Sequence, residues 1–211
     1  MAEPFLSVLP TPQRALWEEL SSVPADFVLY GETAIALQLG HRQSVDFDFF
    51  TRTPVDPQRL IETVDFLADC EPLQMEANIL TARVQRQGPV LVSFFGVPRL
   101  PVLRAPRVLS NPRLRLGDLL ELGGMKAMVV QKRAEAKDYL DIHALLTQAG
   151  LSLPELFAAA TALYPPNFAP EITLKSLCFF DDGNLQSVPA TVRRDLARAV
   201  RACDPLRLPR L

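Results

Sequence analysis

The chain has few of the residues that build disulfide frameworks and zinc sites. It has three cysteines, Cys70, Cys178 and Cys203, which lie far apart, and two histidines, His41 and His143. An odd, scattered set of cysteines forms no disulfide framework and matches no zinc-binding spacing. We therefore expect neither feature, and we expect Cys70, which has no activating partner nearby in the sequence, to be chemically inert.

Long apolar segments and an excess of positive charge are missing as well. No run of about 18 apolar residues occurs, and the N-terminus has no basic segment followed by an apolar one. This predicts a cytoplasmic protein without a membrane span or a signal peptide. The formal net charge is -2, whereas proteins that cover nucleic acid over a wide face are usually basic. Any contact with nucleic acid must come from a local patch, for which the candidates are Arg104, Arg107, Arg113 and Arg115.

The sequence does have ample apolar material in a mixed secondary-structure pattern. Of its 211 residues, 48% are hydrophobic, which suffices for a core with an appended lobe. Periodicity predicts strands at residues 27–30, 45–50, 78–85 and 90–95. It predicts helices at residues 11–22, 33–39, 56–67, 117–130, 136–147, 154–164 and 191–203. We therefore predict an α+β fold, in which residues 1–108 form a mixed sheet with flanking helices and residues 109–211 form a C-terminal helical lobe.

The segment with the most chemical content is residues 27–50. It predicts a strand, a glycine turn at Gly31, a short helix, and a second strand that carries Asp46 and Asp48. Carboxylates at positions i and i+2 of a strand point to the same side, about 7 Å apart along the chain. That spacing suits hard divalent cations such as Mg²⁺ or Mn²⁺. Gly31 would let phosphate approach the backbone, Thr33 would offer a hydroxyl, and the helix N-terminus attracts anions.

The alternative interpretation is that both aspartates are only the polar face of an edge strand. Acidic residues are depleted in strands, and two that face the same way repel each other unless a positive group lies between them. The preceding glycine turn and the apolar flanks Val45, Phe47, Phe49 and Phe50 favour the metal site.

A second cluster lies in residues 126–141, where three of the four lysines of the chain fall within twelve positions. On one continuous helix Lys126, Arg133 and Lys137 would share a face, whereas a break between them would start a second helix near Asp138. Basic groups and carboxylates converge in either case, as phosphate binding requires. The alternative is a solvated, salt-bridged helix face.

Three further features are weaker candidates. His41 and Arg42 precede the Asp-x-Asp strand and are candidates for a phosphate contact. His143 has apolar neighbours and is predicted to pack or to lie at the surface rather than to take part in catalysis. Residues 181–183 (Asp-Asp-Gly) are predicted to form a turn.

These segments resemble a known family. FVLYGETAIALQLGHRQSVDFDFF (residues 27–50) is similar to the first motif of the AbiEii/AbiGii-type nucleotidyltransferase toxins, within the polymerase-β-like nucleotidyltransferase superfamily. GDLLELGGMKAMVVQKRAEAKDYLDIHALL (residues 117–146) resembles the second motif, and LKSLCFFDDGNL (residues 174–185) is similar to a later family segment. The resemblance spans about residues 25–185.

The resemblance implies a Mg²⁺- or Mn²⁺-dependent nucleotidyltransferase with a nucleoside triphosphate (NTP) as substrate. Family members are the toxin half of type IV toxin–antitoxin or abortive-infection pairs, and some transfer nucleotides to tRNA ends. It therefore implies an RNA acceptor, such as a tRNA, and a cognate antitoxin as partner. The implied site residues are Asp46 and Asp48 as catalytic metal ligands, Asp138 as a further catalytic residue, and Gly31, Thr33, Lys126 and Lys137 for nucleotide binding.

Two residues depart from the family pattern. Glu32 stands where the family often has a small residue, and its charge would repel a triphosphate unless it turned outward or helped to hold metal. Ser93 stands where the superfamily often has a third carboxylate, and serine is a poor Mg²⁺ ligand and a poor base. Either another acid such as Asp138 substitutes, or activity is weak or absent. The alternatives are a catalytically degenerate member that binds a nucleotide or a partner, and a metal-dependent phosphohydrolase.

Overall fold

The computed structural model describes residues 3–211, which form two compact units. The first unit extends to Leu100 and includes Ala105–Gly117, and the second consists of Pro101–Arg104 and Asp118–Leu211. The division of the chain at residues 108 and 109 stays a prediction.

The first unit contains one mixed sheet of seven strands in the order β3-β4-β5-β2-β1-β7-β6. The strands are β1 (Val28–Tyr30), β2 (Asp46–Thr51), β3 (Glu71–Glu76), β4 (Ile79–Gln85), β5 (Pro89–Gly96), β6 (Arg107–Ser110) and β7 (Arg113–Leu116). β1 is parallel to β7 and β2 is parallel to β5, while the other neighbours are antiparallel. The helices of this unit are α1 (Thr11–Leu16), α2 (Gly31–Leu39) and α3 (Pro57–Thr63), with 3-10 turns at Leu6–Val8, Trp17–Ser22 and Asp65–Leu67.

Period-two alternation puts Phe47 and Phe49 of β2 on one face of the sheet and the two aspartates on the other. Phe47 and Phe49 are fully buried, and Phe49 stacks on Phe94 of β5 with ring centroids 5.2 Å apart. The aspartates that alternate with them lie on the other, partly exposed face. A one-residue slip of the strand would bury both carboxylates, so the buried aromatic rings fix which face carries the charge.

The second unit is helical in the part that follows Gly117. Its helices are α4 (Leu119–Val129), α5 (Ala136–Thr147), α6 (Leu153–Leu163), α7 (Pro170–Ser176) and α8 (Ala190–Ala202), with a 3-10 turn at Leu185–Ser187. α4 lies close to α6, and a Cβ at Gly124 would be 2.8 Å from the Cβ of Ala159. The absence of a side chain at this glycine allows the close approach of the two helices.

The predicted fold class is confirmed. The structure adds β3, β6, β7 and α7, which were not among the predicted strands and helices, and it begins α5 at Ala136 after a break behind α4. No helix among residues 3–211 has the length and apolar composition needed to cross a bilayer.

Candidate functional site

The side chains of Asp46 and Asp48, which we call the aspartate pair, lie on one face of β2. The burial of β2 alternates strictly along its length, with both aspartates partly exposed and Phe47 between them buried. Asp48 is level with Tyr30 on β1 and with Ser93 on β5. The predicted strand and its two-carboxylate face are therefore present in the structure.

Gly31 brings the start of α2 against the aspartate pair. It directly follows Tyr30, which is level with Asp48, and its φ is +71°, a conformation that favours glycine. A Cβ on Gly31 would lie 3.0 Å from Asp48 Oδ2. The first N–H groups of an α-helix have no partner within the helix and carry partial positive charge. An anion at this end of α2 would thus lie beside the carboxylates.

Thr33 fastens α2 to the strand that carries the aspartates. Its hydroxyl is buried, donates to the backbone carbonyl of Asp46, and lies 2.7 Å from Ser44 Oγ. These contacts fix the backbone position of Asp46 relative to the first turn of α2. The predicted contact of Thr33 with a nucleotide stays a prediction, while its observed contacts are with the protein itself.

Glu32 is buried, and its charge is compensated by the protein. Its Oε2 pairs with Arg42 at 3.3 Å, and its Oε1 accepts a hydrogen bond from Ser44 at 3.3 Å. The ion pair supplies the positive charge that weakens the repulsion expected between Glu32 and a triphosphate. Arg42, like His41, was predicted as a candidate for a phosphate contact. In the structure Arg42 also pairs with Glu32.

The position beside Asp48 where a third carboxylate would stand holds the buried Ser93. Thr81 of β4 is level with Ser93 and donates to its Oγ at 3.4 Å. Among residues 3–211 no group of three or more acidic, histidine or cysteine side chains is arranged to hold a metal ion. Two carboxylates still fit Mg²⁺ or Mn²⁺, because these ions commonly bind through one or two carboxylates and take their remaining ligands from substrate phosphates and water.

The second unit contains a buried ion network between α4 and α5. The ammonium of Lys126 lies 2.6 Å from Asp138 Oδ1 and 2.6 Å from Asp141 Oδ2, and the side chains of both aspartates are 0% exposed. Arg133, from the segment between the helices, donates to Asp138 from Nε at 2.7 Å and from Nη2 at 3.0 Å. A lysine has three N–H donors, and these two carboxylates engage two of them. The break behind α4 therefore brings the basic and acidic groups together.

Asp138 is ionised in this network. Burial alone would raise the pKa of its carboxyl, but the hydrogen bonds from Arg133 and the charge of Lys126 outweigh burial and lower the pKa below its usual value. Lys137 points elsewhere, since its Nζ lies 3.4 Å from Glu135 and its side chain is 37% exposed. Lys126 and Asp138 were predicted site residues, whereas no partner was predicted for Asp141, although the Asp-x-x-Asp spacing on a helix places both acids on one side.

The weaker candidates are accounted for locally. His143 Nε2 lies 3.3 Å from Asp195 of α8. Residues 181–183 form a turn in which Asp182 accepts from the backbone N–H of Gly183 at 2.7 Å. Burial raises the pKa of the Cys70 thiol, which lowers the fraction of reactive thiolate, as expected of an inert cysteine.

Comparison with known proteins places the chain in a family. Residues 14–210 match the family model of the nucleotidyl transferase AbiEii toxin of type IV toxin–antitoxin systems. An uncharacterized protein of Aquifex aeolicus is 31% identical over 159 residues, which cover 74% of this chain and 75% of that protein.

Two solved structures share the fold. The crystal structure of a proposed nucleotidyltransferase from H. pylori matches with a TM-score of 0.55 at 18% identity and covers 90% of each chain. MenT4, a nucleotidyltransferase toxin from Mycobacterium tuberculosis, matches with a TM-score of 0.51 at 16% identity and covers 89% of each chain. Because the family model matches residues 14–210, the chain belongs to the AbiEii nucleotidyltransferase toxin family of type IV toxin–antitoxin systems.

Proposed function

We propose that this toxin transfers a nucleotide from an NTP to an RNA acceptor, such as a tRNA, in a Mg²⁺- or Mn²⁺-dependent reaction. The observation that carries the proposal is the position of the aspartate pair beside the N-terminus of α2. Gly31, the first residue of α2, lies so close to Asp48 that a Cβ on this glycine would be 3.0 Å from Asp48 Oδ2. Carboxylates and an anion-attracting helix end are complementary to a metal-bound triphosphate.

Asp46 and Asp48 would hold the cation. A divalent ion held there would supply positive charge that stabilises the negative charge developing on the phosphates during in-line displacement. The backbone at Gly31 and the first turn of α2 would receive the phosphates, with Thr33 holding this turn at a fixed distance from Asp46. In the transfer, the acceptor hydroxyl bonds to the α-phosphorus, the bond to pyrophosphate breaks, and the hydroxyl proton is released.

We propose a phosphate-binding role for Lys126 and a positioning role for Asp138. Two donors of the ammonium are engaged by Asp138 and Asp141, so the third N–H is the one that would contact phosphate. The two carboxylates hold the ammonium in place. Lys137, which is partly exposed, would add to the positive charge available to phosphates.

The family also supplies the biological setting. A type IV toxin is paired with an antitoxin, and we propose a cognate antitoxin for this chain together with a role in abortive infection. The NTP is the substrate class that the family implies.

The second candidate function is a catalytically degenerate nucleotide-binding protein. It is favoured by Ser93, which occupies the position level with Asp48 where a third acid would stand. In this case Mg²⁺–NTP would bind without transfer, and Ser93→Asp would introduce activity by adding a carboxylate beside Asp48.

Label transfer tests these proposals. The purified protein is incubated with Mg²⁺, each α-labelled NTP in turn and total tRNA. Its variants are Asp46→Asn/Asp48→Asn and a matched control, Asp69→Asn, at an exposed site of the same unit. We expect label on RNA that is lost only in the double variant. Absence of transfer from every NTP with Mg²⁺ or Mn²⁺, together with transfer by Ser93→Asp, would establish the degenerate alternative instead, and NTP hydrolysis without an acceptor would indicate a phosphohydrolase.

A further inference from the structure

Two aromatic rings lie beside the aspartate pair on the same face of the sheet. Phe50 follows Asp48 by two residues on β2 and is level with Phe95 on β5. Their ring centroids are 4.8 Å apart, with 32° between the ring planes. Both rings are partly exposed, in contrast to Phe47 and Phe49, which are fully buried on the opposite face. Partly exposed phenylalanine rings offer flat apolar surface against which another planar group can stack.

Two arginines share this face of the sheet. The parallel pairing of β1 and β7 sets Leu29 level with Leu116, and both are fully buried. Arg115, one residue before Leu116, therefore lies on the opposite side, which is the side of the aspartate pair. The exposed Arg113 lies two residues earlier and has the same orientation. Arg115 is two strands away from Phe50, about 10 Å across the sheet.

The direction of the reaction indicates which substrate reaches the rings. α2 begins at the end of β1 that is level with Asp48, whereas Phe50 is level with Val28 at the other end of β1. Asp48 thus lies between the N-terminus of α2 and the Phe50–Phe95 rings, with Asp46 beside the first turn of α2. In an in-line displacement the nucleophile and the leaving group are on opposite sides of the phosphorus. With the leaving phosphates at α2, the acceptor approaches from the side of the rings.

We propose that Phe50 and Phe95 stack against the terminal base of a single-stranded RNA acceptor, whose phosphates contact Arg113 and Arg115. This inference rests on the proposed transfer to RNA and names the surface that receives the acceptor. Single-stranded RNA presents splayed bases that stack on aromatic rings and phosphates that arginine binds through its fork of N–H groups. The rings and the arginines on one face of the sheet therefore match the bases and the phosphates of a single-stranded RNA.

Equilibrium binding without NTP tests the proposal directly. Fluorescence anisotropy is recorded with a labelled 12-nucleotide RNA of unstructured sequence, for the wild type and for Phe50→Leu and Phe95→Leu. Base–aromatic stacking of the usual strength predicts that each leucine variant binds the RNA about 5- to 100-fold more weakly. Phe50→Trp keeps a stacking surface and should bind like the wild type. Phe5→Leu is the matched control, because Phe5 is exposed and lies against Gly40, near the opposite end of α2 from Gly31.

Further readouts separate RNA binding from folding and from NTP binding. The affinity for Mg²⁺–NTP should stay unchanged in Phe50→Leu and Phe95→Leu, and Arg113→Gln/Arg115→Gln should reduce the salt dependence of RNA binding. RNA binding that depends on the rings, without label transfer by the wild type, would refute the transfer reaction but support this surface. Failure of the wild type to bind RNA, or unaltered RNA binding by both leucine variants, would overturn the inference.

Discussion

Replacement of Lys126 by methionine should strongly destabilise the second unit. Lys126 Nζ lies 2.6 Å from a carboxylate oxygen of Asp138 and 2.6 Å from one of Asp141, and both side chains are 0% exposed. Removal of one partner of a buried ion pair costs about 3–5 kcal/mol, because an uncompensated charge then remains in the interior. Methionine keeps most of the apolar stem, so the loss reports mainly the charge. We expect the free energy of unfolding to fall by about 3–5 kcal/mol.

Arg133→Met is the matched comparison for this prediction. Arg133 binds the same Asp138 through two N–H groups, but its side chain is 43% exposed and water screens its charge. Its loss should therefore cost only about 1 kcal/mol. In the double variant Lys126→Met/Asp141→Asn one of the two buried charges is also removed. We expect the double variant to lose about 0.5–3 kcal/mol less free energy of unfolding than the sum of the losses in the two single variants, as is usual for residues in contact.

Urea unfolding followed by far-UV circular dichroism measures these differences. Trp17, the single tryptophan, lies in the first unit, so its fluorescence reports that unit separately from the overall helix content. With usual urea dependences the predicted loss moves the midpoint of the dichroism transition by about 1–3 M. A shift for Lys126→Met no larger than that for Arg133→Met would refute the argument that the buried ammonium holds this network together.

Three further predictions concern the two clusters of charged groups. Gly31→Ala puts a methyl group 3.0 Å from Asp48 Oδ2 at a φ of +71°. We expect the free energy of unfolding, measured by thermal unfolding, to fall by about 1–2 kcal/mol, and Mg²⁺–NTP binding, measured by calorimetry, to weaken. An unchanged melting temperature would contradict the close approach of Gly31 to Asp48. Thr33→Val removes the hydroxyl that donates to the carbonyl of Asp46 and should lower the free energy of unfolding in urea by about 1–3 kcal/mol. Thr33→Ser keeps a hydroxyl and should lower it less. Equal decreases for the two variants would argue against the hydrogen bond. The pKa of Asp138 is lower in the folded protein than in the unfolded chain. The ionised carboxylate therefore stabilises the fold fully above about pH 4, and this stabilisation is lost as the pH falls through the folded pKa. The free energy of unfolding, measured between about pH 2 and 5, should decrease with falling pH, and Asp138→Asn should make this decrease smaller.

The elements that were predicted from the sequence are those with their own periodicity. α5 has the predicted bounds of residues 136–147, and the side of the sheet that carries the aspartate pair follows from alternation with buried aromatic residues. Each of these segments has enough apolar residues at one period to specify both its structure and its buried face. Local pattern and tertiary packing agree there.

The elements that were missed depend on neighbours for their structure. Every residue of β3 is exposed, and the strand contains Pro72, so no alternation marks it; it is a strand because it pairs with β4 at the edge of the sheet. β7 has only four residues behind a proline-rich connector and lies between β1 and β6. The ladder hydrogen bonds of a neighbour, rather than local preference, determine such strands.

The candidate site shows the same division between local and long-range information. The spacing of the aspartate pair and the glycine before it could be recognised in the sequence, because both lie within one strand–helix–strand segment. The partners of Glu32 and Lys126 could not, because they depend on how a loop returns over α2 and on where the helical segment breaks. The positions of the candidate carboxylates could therefore be predicted from the sequence better than the groups that contact them.

The charges in the first unit bear on the proposed metal site, which contains two acids. Glu32, the third acid of the segment, pairs with Arg42 and is buried, and the position level with Asp48 is Ser93. In the proposed reaction the aspartate pair would supply the protein carboxylates, and a cation held there would complete its coordination with phosphate oxygens and water. Such a site would favour a cation that arrives with the nucleotide over a cation alone. We therefore expect the affinity for the cation to rise when NTP is present, as the proposal of joint binding at the start of α2 requires.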